Sequence, residues 1–348
     1  MEAFWFAVVS VMLAVYVVLD GFDFGVGILH RIVARTDSER RTVLAAIGPV
    51  WDGNEVWLLG AGGVLFLAFP RAYAAAFSGF YLALVIVLWL LILRGIAIEL
   101  RSHHENPLWR EFWDFTFSLA SVLMALVLGT ALGNVIRGVP IDQDGYFAMP
   151  LFTDFQPSCQ LGIFDWYTLL VGLFALAALA EHGALYLVWK TTGPVQDRAR
   201  TLARLLWWAM LPSWILTTLA TAWVQPQLFG TLLARPWTLA LVLLALAGAV
   251  GMRLFARRGQ ELPAFLSSCA FLLSILAATM AGQYPDLLRS TLDPTFSVTA
   301  TNGAAGSYGL RVGAVWWSFG MLLTGLYFFN LFRWFRGKVR LDSEEQGY

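Results

Sequence analysis

The sequence has 348 residues, of which 59% are hydrophobic and only 13% are charged. Soluble domains carry about 25% charged residues, and a mean hydropathy of +0.67 leaves too little polar surface to cover soluble domains. The 23 basic and 23 acidic residues cancel, so there is no net charge to attract a nucleic acid. Composition therefore excludes soluble, disordered and nucleic-acid-binding proteins and predicts a membrane protein with several spans.

Nine apolar runs approach the length of about 20 residues that a spanning helix needs. They lie at about 4–30, 54–70, 76–98, 116–136, 164–189, 205–225, 236–255, 263–284 and 312–333. The chain starts without a positively charged region, so we expect the first run to be a retained span rather than a signal peptide. The predicted fold is an all-α, single polytopic membrane domain over residues 1–348.

The nine helices are predicted to form two four-helix bundles plus one peripheral helix. Helices 1–4 cover about 4–136, helices 5–8 about 164–284, and the peripheral helix 9 about 312–333. Phe69–Tyr73 is predicted to be a tight turn, and Asp286–Arg311 a surface loop. Cys159 lies in a polar stretch and Cys269 in an apolar run, so we expect no disulfide between them.

The basic residues are distributed unevenly between the connections. Five, namely Arg71, Arg137, Arg235, Arg289 and Arg311, fall on one side of the predicted membrane, and the other 18 fall in the alternate connections or after the last span. Cytoplasmic loops are enriched in Lys and Arg. The bias predicts that the N-terminus is outside and the C-terminus cytoplasmic.

Two acidic residues fall inside the first predicted span. Asp20 and Asp23 lie toward its cytoplasmic end. Placing an ionisable side chain inside a membrane costs free energy, so the presence of each aspartate calls for an explanation. They could be solvated at the interface, or paired with Arg31 or Arg35. They could also serve a function within the membrane.

A second polar group opens the second span at Asp52, Asn54 and Glu55. Asp52 with Glu55 three residues later can be read as a capping box. The same residues at the mouth of a span could also admit protons, and the two roles are compatible.

Arg94 and Glu99 lie at the end of the third span, and Glu181 and His182 lie in the fifth. Arg94 needs a carboxylate partner, which Glu99, Asp52 or Asp23 could supply, unless it only snorkels to the interface. A lone buried histidine such as His182 is more often a hydrogen-bonded packing residue than a ligand.

The acidic residues of the spans share one depth. The six residues fall toward the cytoplasmic side and are Asp20, Asp23, Asp52, Glu55, Glu99 and Glu181. The pattern suggests a half-channel for protons that opens inward. We expect no metal or haem bound by this chain, because His182 is the one histidine within a span and a buried haem needs a second ligand nearby. From these residues alone, the chain is a proton-handling or scaffolding membrane subunit.

Several motifs resemble the signature of subunit II of cytochrome bd-type quinol oxidases. They are LDGFDFGVG at 19–27, GPVWDGNEVWL at 48–58, FPRAYA at 69–74, RG at 94–95, GN at 133–134, GVP at 138–140 and HGALYL at 182–187, with Glu99 and Arg101. Specific motifs cover about the first 200 residues. Beyond them, the resemblance depends on topology and length.

The resemblance implies a role in aerobic respiration. In this family, subunit II ligates no haem and pairs with subunit I, which carries two b-type haems and one d-type haem. The pair oxidises quinol and reduces O2 to water with cytoplasmic protons, in the bacterial cytoplasmic membrane. A small accessory membrane subunit is also expected, and some members hold a structural quinone in this subunit.

The resemblance also implies roles for single residues. Asp23 and Asp52 match acidic positions of the proton path, and Glu99 matches a further acidic position with Arg94 as its electrostatic neighbour. Asp20, Asn54 and Glu55 belong to the same predicted path, and Trp57 matches a position on an apolar oxygen route. No residue is expected to be directly catalytic, and no quinone contacts are assigned.

Two other functions remain open from the sequence. A polytopic secondary transporter would show broken helices in two repeats with polar groups near the middle of the membrane. The only hint of a repeat is the polar cluster late in spans one and five, at 20–23 and 181–183. The chain could also be a purely structural partner subunit whose acidic residues cap helices.

Overall fold

The computed structural model describes residues 1–157 and 160–339, most of which are helical. The helices in these ranges are α1 (Glu2–Val33), α2 (Asp37–Ile47), α3 (Trp51–Ala68), α4 (Pro70–Gly79), α5 (Tyr81–Leu100), α6 (Pro107–Arg137), α7 (Trp166–Lys190), α8 (Gly193–Val224), α9 (Pro226–Ala234), α10 (Pro236–Arg257), α11 (Glu261–Gln283) and α12 (Ser307–Trp334). Short 3-10 turns lie at Arg101–His103 and Pro294–Phe296. Cys159 falls outside the described residues, so the prediction about its pairing stays a prediction.

Eight helices within the described ranges are long and apolar enough to cross a membrane. They are α1, α5 with the turn that follows it, α6, α7, α8, α10, α11 and α12. The second predicted span coincides with α3, an 18-residue helix that contains Asp52, Asn54 and Glu55. A multi-pass helical membrane protein is therefore confirmed. The ninth span, the two four-helix bundles and the orientation stay predictions.

Two connections differ from the sequence predictions. Phe69–Tyr73 is not a tight turn: α4 starts at Pro70, and only Phe69 separates it from α3. Proline suits this first helical position because its missing N–H would have no partner there. The segment Asp286–Arg311 is not simply a surface loop either. Strand β1 (Asp286–Leu288) pairs antiparallel with β2 (Val298–Thr299), and α12 already begins at Ser307.

Helix α2 lies in what the sequence analysis treated as a connection. A capping box between Thr36 and Glu39 starts it, and apolar residues such as Leu44 and Ile47 are buried. The Oε2 atom of Glu39 also accepts a hydrogen bond from Arg198 of α8 at 2.8 Å. The bond to Arg198 lowers the pKa of Glu39 to about 2. The ion pair ties α2 to the N-terminal part of α8, which starts at Gly193 rather than near 205.

Helix α1 packs against α3, α6, α7 and α11. Its closest approach to α7 is at Gly25 and Gly183, where a Cβ on Gly25 would lie 2.0 Å from the carbonyl oxygen of Leu179. A Cβ on Gly183 would lie 2.2 Å from the carbonyl carbon of Gly25. The two backbones therefore touch directly. By contrast, α12 packs against α3 and has only Leu310 and Leu331 buried among its described residues.

Candidate functional site

A group of polar side chains, the Asp20 cluster, lies at one end of the bundle. Its members are Asp20 and Asp23 of α1, Asn54 and Glu55 of α3, and Arg94 of α5. The residues come together because α1 packs against α3 and Arg94 of α5 bonds both Asp20 and Glu55. Asp20, Asp23 and Glu55 are three of the six acids for which the sequence predicts a common depth.

Arg94 is at the centre of the Asp20 cluster. Its Nη1 donates to Oδ1 of Asp20 at 2.5 Å, and its Nη2 donates to Oδ2 of Asp20 at 3.2 Å. The same Nη2 donates to Oε2 of Glu55 at 2.9 Å. The guanidinium carbon lies 4.3 Å from the ring centroid of Phe24. Asp20 and Arg94 are fully buried, while the side chain of Glu55 is 22% exposed. Glu55 therefore connects the buried pair with the surface.

Asp23 is also fully buried, but no cation among the described residues forms an ion pair with it. Its Oδ2 accepts a hydrogen bond of 2.8 Å from Nδ2 of Asn54, which also donates to the carbonyl oxygen of Leu19 at 3.3 Å. Its Oδ1 has no hydrogen-bond partner among the described residues. A buried carboxyl group with a free oxygen can hold a proton on that atom.

Three other predicted residues lie outside the Asp20 cluster. Asp52 and Glu99 are exposed, and no hydrogen bond or ion pair joins either side chain to another described residue. Trp57 is half-buried, with its ring 5.9 Å from that of Phe328 of α12. The predicted oxygen route along Trp57 stays a prediction.

Two predictions about contacts were wrong. Arg94 pairs with Asp20 and Glu55 and not with Glu99, Asp52 or Asp23. Asp52 and Glu55 form no capping box, because Val50 is the N-cap of α3 and makes no side-chain bond.

The prediction for the acids of α1 also needs correction. Asp20 and Asp23 are neither solvated nor paired with Arg31 or Arg35. Arg31 bonds Glu111 instead. Arg31 lies eleven residues beyond Asp20 on α1, about 16 Å along the helix axis, which is too far for a direct contact with the buried acids.

A second charged network, which the sequence analysis missed, surrounds Asp114 of α6. This buried carboxylate accepts bonds from Arg101 Nε at 2.7 Å and Arg40 Nη1 at 2.9 Å, and His30 Nε2 lies 2.6 Å away. It links α1, α2, α5 and α6 at the same end of the bundle. The predicted fourth span began at about 116, after Asp114, so this acid was not recognised as buried.

His182 is a hydrogen-bonded packing residue, as the sequence analysis favoured. Its Nε2 lies 2.9 Å from the carbonyl oxygen of Val18, and its Nδ1 lies 2.6 Å from Oγ of Ser268. Its ring stacks on Phe265 with centroids 5.1 Å apart. Within residues 1–157 and 160–339, no three His, Cys, Asp or Glu side chains come together in a way that could hold a metal ion.

These features define a multi-pass helical membrane protein with buried ion pairs at one end of its bundle. A family model for cytochrome bd terminal oxidase subunit II matches residues 1–335, so the chain belongs to that family. Cytochrome bd-I ubiquinol oxidase subunit 2 of Escherichia coli K12 is 40% identical over 226 residues, which are 65% of this chain and 58% of that protein. Thus the chain matches less than two thirds of the length of this relative.

Two further comparisons extend over most of the chain. Cytochrome bd ubiquinol oxidase subunit 2 of Bacillus subtilis 168 is 30% identical over 313 residues, or 89% of this chain and 88% of that protein. A chain of the bd oxidase from Geobacillus thermodenitrificans has a similar fold, with a TM-score of 0.73 at 18% identity. The match covers 96% of this chain and 98% of the other.

Proposed function

We propose that this chain is the haem-free subunit II of a cytochrome bd-type quinol:oxygen oxidoreductase in the bacterial cytoplasmic membrane. The observation that carries the proposal is the family match over residues 1–335. In the proposed complex, the chain supports subunit I, which carries two b-type haems and one d-type haem, beside a small accessory membrane subunit. Quinol and O2 are the substrates of the complex.

Buried His182 does not fit haem ligation by this chain, because both of its ring nitrogens have contacts and an axial ligand needs a free ring nitrogen. His30 bonds Asp114 through Nε2, and its Nδ1 has no partner among the described residues. The contacts of His182 support the assignment of the haems to the partner subunit.

We assign the cytoplasmic proton path of this subunit to the Asp20 cluster. Exposed Asp52 and Glu99 stand at the solvent side, and partly exposed Glu55 touches both solvent and Arg94. Asp20, Asn54 and Asp23 lie further in, where water is excluded. Three carboxyl groups around a single guanidinium leave Asp23 without a charge partner, which suits a group that receives and releases a proton.

Asp23→Asn is the direct test of the proton path. The amide keeps the size and the bond to Asn54 but cannot carry the proton. We expect the purified complex to lose quinol oxidase turnover at unchanged haem content, and Asp52→Asn to slow it less because Asp52 is exposed. Glu2→Gln, an exposed acid at the other end of α1, is the matched control.

The outcomes separate proton conduction from a purely structural role. Loss of haem together with turnover would show that Asp23 supports assembly. Unchanged turnover in Asp23→Asn would contradict the path.

An oxygen route past Trp57 and a structural quinone belong to the same proposal. Trp57→Phe keeps an aromatic ring beside Phe328. We expect this variant to change the oxygen affinity of the complex rather than its haem content.

A further inference from the structure

A second acid and arginine, Glu181 of α7 and Arg253 of α10, face each other outside the Asp20 cluster. Glu181 is 2% exposed, and its Oε2 has no hydrogen-bond partner among the described residues. The Nε atom of Arg253 is likewise buried without a partner in that part of the chain. No nitrogen of Arg253 lies within 4.0 Å of the carboxylate, so the two side chains are neighbours without a direct ion pair.

The space between them has a definite size and lining. A cavity of about 10 Å³ is lined by Glu181, Arg253, Trp207, Ala203 and exposed Arg204. A cavity needs a volume of about 10–15 Å³ to hold one water, and the water needs two to four polar partners. The cavity is therefore about the size of one water, and two of its lining residues, Glu181 and Arg253, each carry a buried polar atom without a partner among the described residues. Arg204 marks its solvent side.

We propose that Glu181 and Arg253 form a water-binding, proton-holding site between α7, α8 and α10. Nε of Arg253 donates to the bound water, and the water donates to the Glu181 carboxylate. When a hydronium ion at the solvent side gives a proton to the bound water, that water passes one of its protons to the carboxylate. A carboxylic acid and the bound water remain in the site, and the hydronium ion is left as a water in the solvent. Release reverses this step, so atoms and charge balance without any other reactant.

The surroundings support this assignment. The guanidinium carbon of Arg253 lies 5.8 Å from the ring centroid of Trp207, whose Nε1 is held at 2.9 Å by the carbonyl oxygen of Ala249. The arginine is therefore oriented by α8 and α10. On α7 itself, the adjacent His182 points away and bonds Val18 of α1 and Ser268 of α11. Arg253 and Arg204 are thus the charged groups that face Glu181.

Glu181 and Arg253 differ from the Asp20–Arg94 pair in how the acid meets the arginine. Each pair joins an acid late in one helix, α1 or α7, to an arginine near the end of another, α5 or α10. Asp20 meets Arg94 directly at 2.5 Å, a charge-assisted contact. Glu181 makes no direct contact of this kind with Arg253. The weaker interaction across the water leaves Glu181 free to hold a proton.

The inference goes beyond the proposed oxidase function, and its readout does not depend on turnover. Infrared spectra of the purified complex are recorded in H2O and D2O across neutral pH. We expect one deuterium-sensitive carboxylic acid band to disappear in Glu181→Gln. Glu261→Gln should remove none, because Oε1 and Oε2 of Glu261 are both occupied by cationic partners, Arg200 and Lys338. A Glu181→Gln complex that keeps every carboxylic acid band would overturn the proposal.

A second variant tests the site if Glu181→Gln fails to assemble. Ala203→Val keeps both ionisable groups and fills the cavity with two methyl groups. Displacing the water should shift the Glu181 band and change its deuterium sensitivity. An unchanged band in Ala203→Val would overturn the bound water.

Discussion

Arg94 and Asp20 form a bidentate ion pair in which both side chains are completely buried, with Nη1 and Oδ1 2.5 Å apart. Removing two charges from water is costly, and their attraction offsets this cost only when the geometry is good and further hydrogen bonds are made. Glu55 and the Phe24 ring supply those extra contacts. Through Arg94, α5 is therefore fixed to both α1 and α3.

Removing Arg94 is expected to destabilise the protein strongly. Arg94→Gln leaves Asp20 buried without its partner, and breaking a buried pair in this way costs about 3–5 kcal/mol. We expect a lower Tm and less assembled complex by size-exclusion chromatography. Arg257→Gln, at an exposed arginine with no hydrogen bond or ion pair to another described residue, should stay within about 0.5 kcal/mol of wild type.

A double variant separates lost charge pairing from lost packing. Asp20→Asn with Arg94→Gln removes both charges, so it should be more stable than Arg94→Gln alone. Equal Tm values for the single and double variants would show that packing, and not the unpaired charge, dominates.

The contact between α1 and α7 predicts the effect of a single methyl group. Gly25→Ala would place a Cβ 2.0 Å from the carbonyl oxygen of Leu179, so the helices must separate. Overpacking of this kind costs about 1–3 kcal/mol, which thermal unfolding of the complex should detect. Gly62→Ala on α3 meets no atom within 4 Å and is the control. Similar Tm values for both variants would contradict a tight backbone contact.

The Glu39–Arg198 pair predicts a pH dependence. The pKa of Glu39 falls from 4.5 to about 2 because of its bond to Arg198. The ion pair therefore stabilises the folded state fully above pH 4.5, and this stabilisation is lost as the pH falls toward 2. Glu39→Gln should have a lower Tm than wild type at neutral pH, and the difference should shrink below pH 4.5. A difference that stays constant with pH would rule out the charged pair as its cause.

Asp114 anchors the network that the sequence analysis missed. Asp114→Asn leaves Arg101, Arg40 and His30 around a neutral amide, which we expect to cost about 3 kcal/mol or more. Asp144→Asn, at an exposed acid, is the matched control. Limited proteolysis should then cleave the α1–α3 connection faster in Asp114→Asn, because Arg40 of α2 keeps Glu111 but loses its buried partner. Equal cleavage rates would show that the remaining contacts of α2, among them those with Arg198, Arg110 and Tyr186, are enough to hold it.

The sequence gives the position of each acidic residue along its helix, but it could not give their partners. A helix rises 1.5 Å per residue, so position along a span gives depth directly. Contacts depend instead on which way each side chain points. Arg94 and Glu99 are five residues apart, about 140° around the helix, so Arg94 points into the bundle and Glu99 points out.

Helix α2 was missed for a different reason. A search for long apolar runs cannot find an 11-residue helix that is polar on one face. The sequence still held a signal, because Thr36 and Glu39 have the spacing of a capping box and Val43, Leu44 and Ile47 share one face. The ion pair between Glu39 of α2 and Arg198 joins residues 159 positions apart. No local sequence pattern could reveal such a contact.

The reduced-minus-oxidised visible spectrum of the complex tests the proposed role most directly. The complex is purified through a tag on this chain and compared with the chain expressed alone. We expect haem b and haem d bands in the complex and none in the lone chain. A folded lone chain that carries haem would contradict a haem-free subunit, and a tagged chain that purifies without any haem-bearing partner would contradict the oxidase assignment.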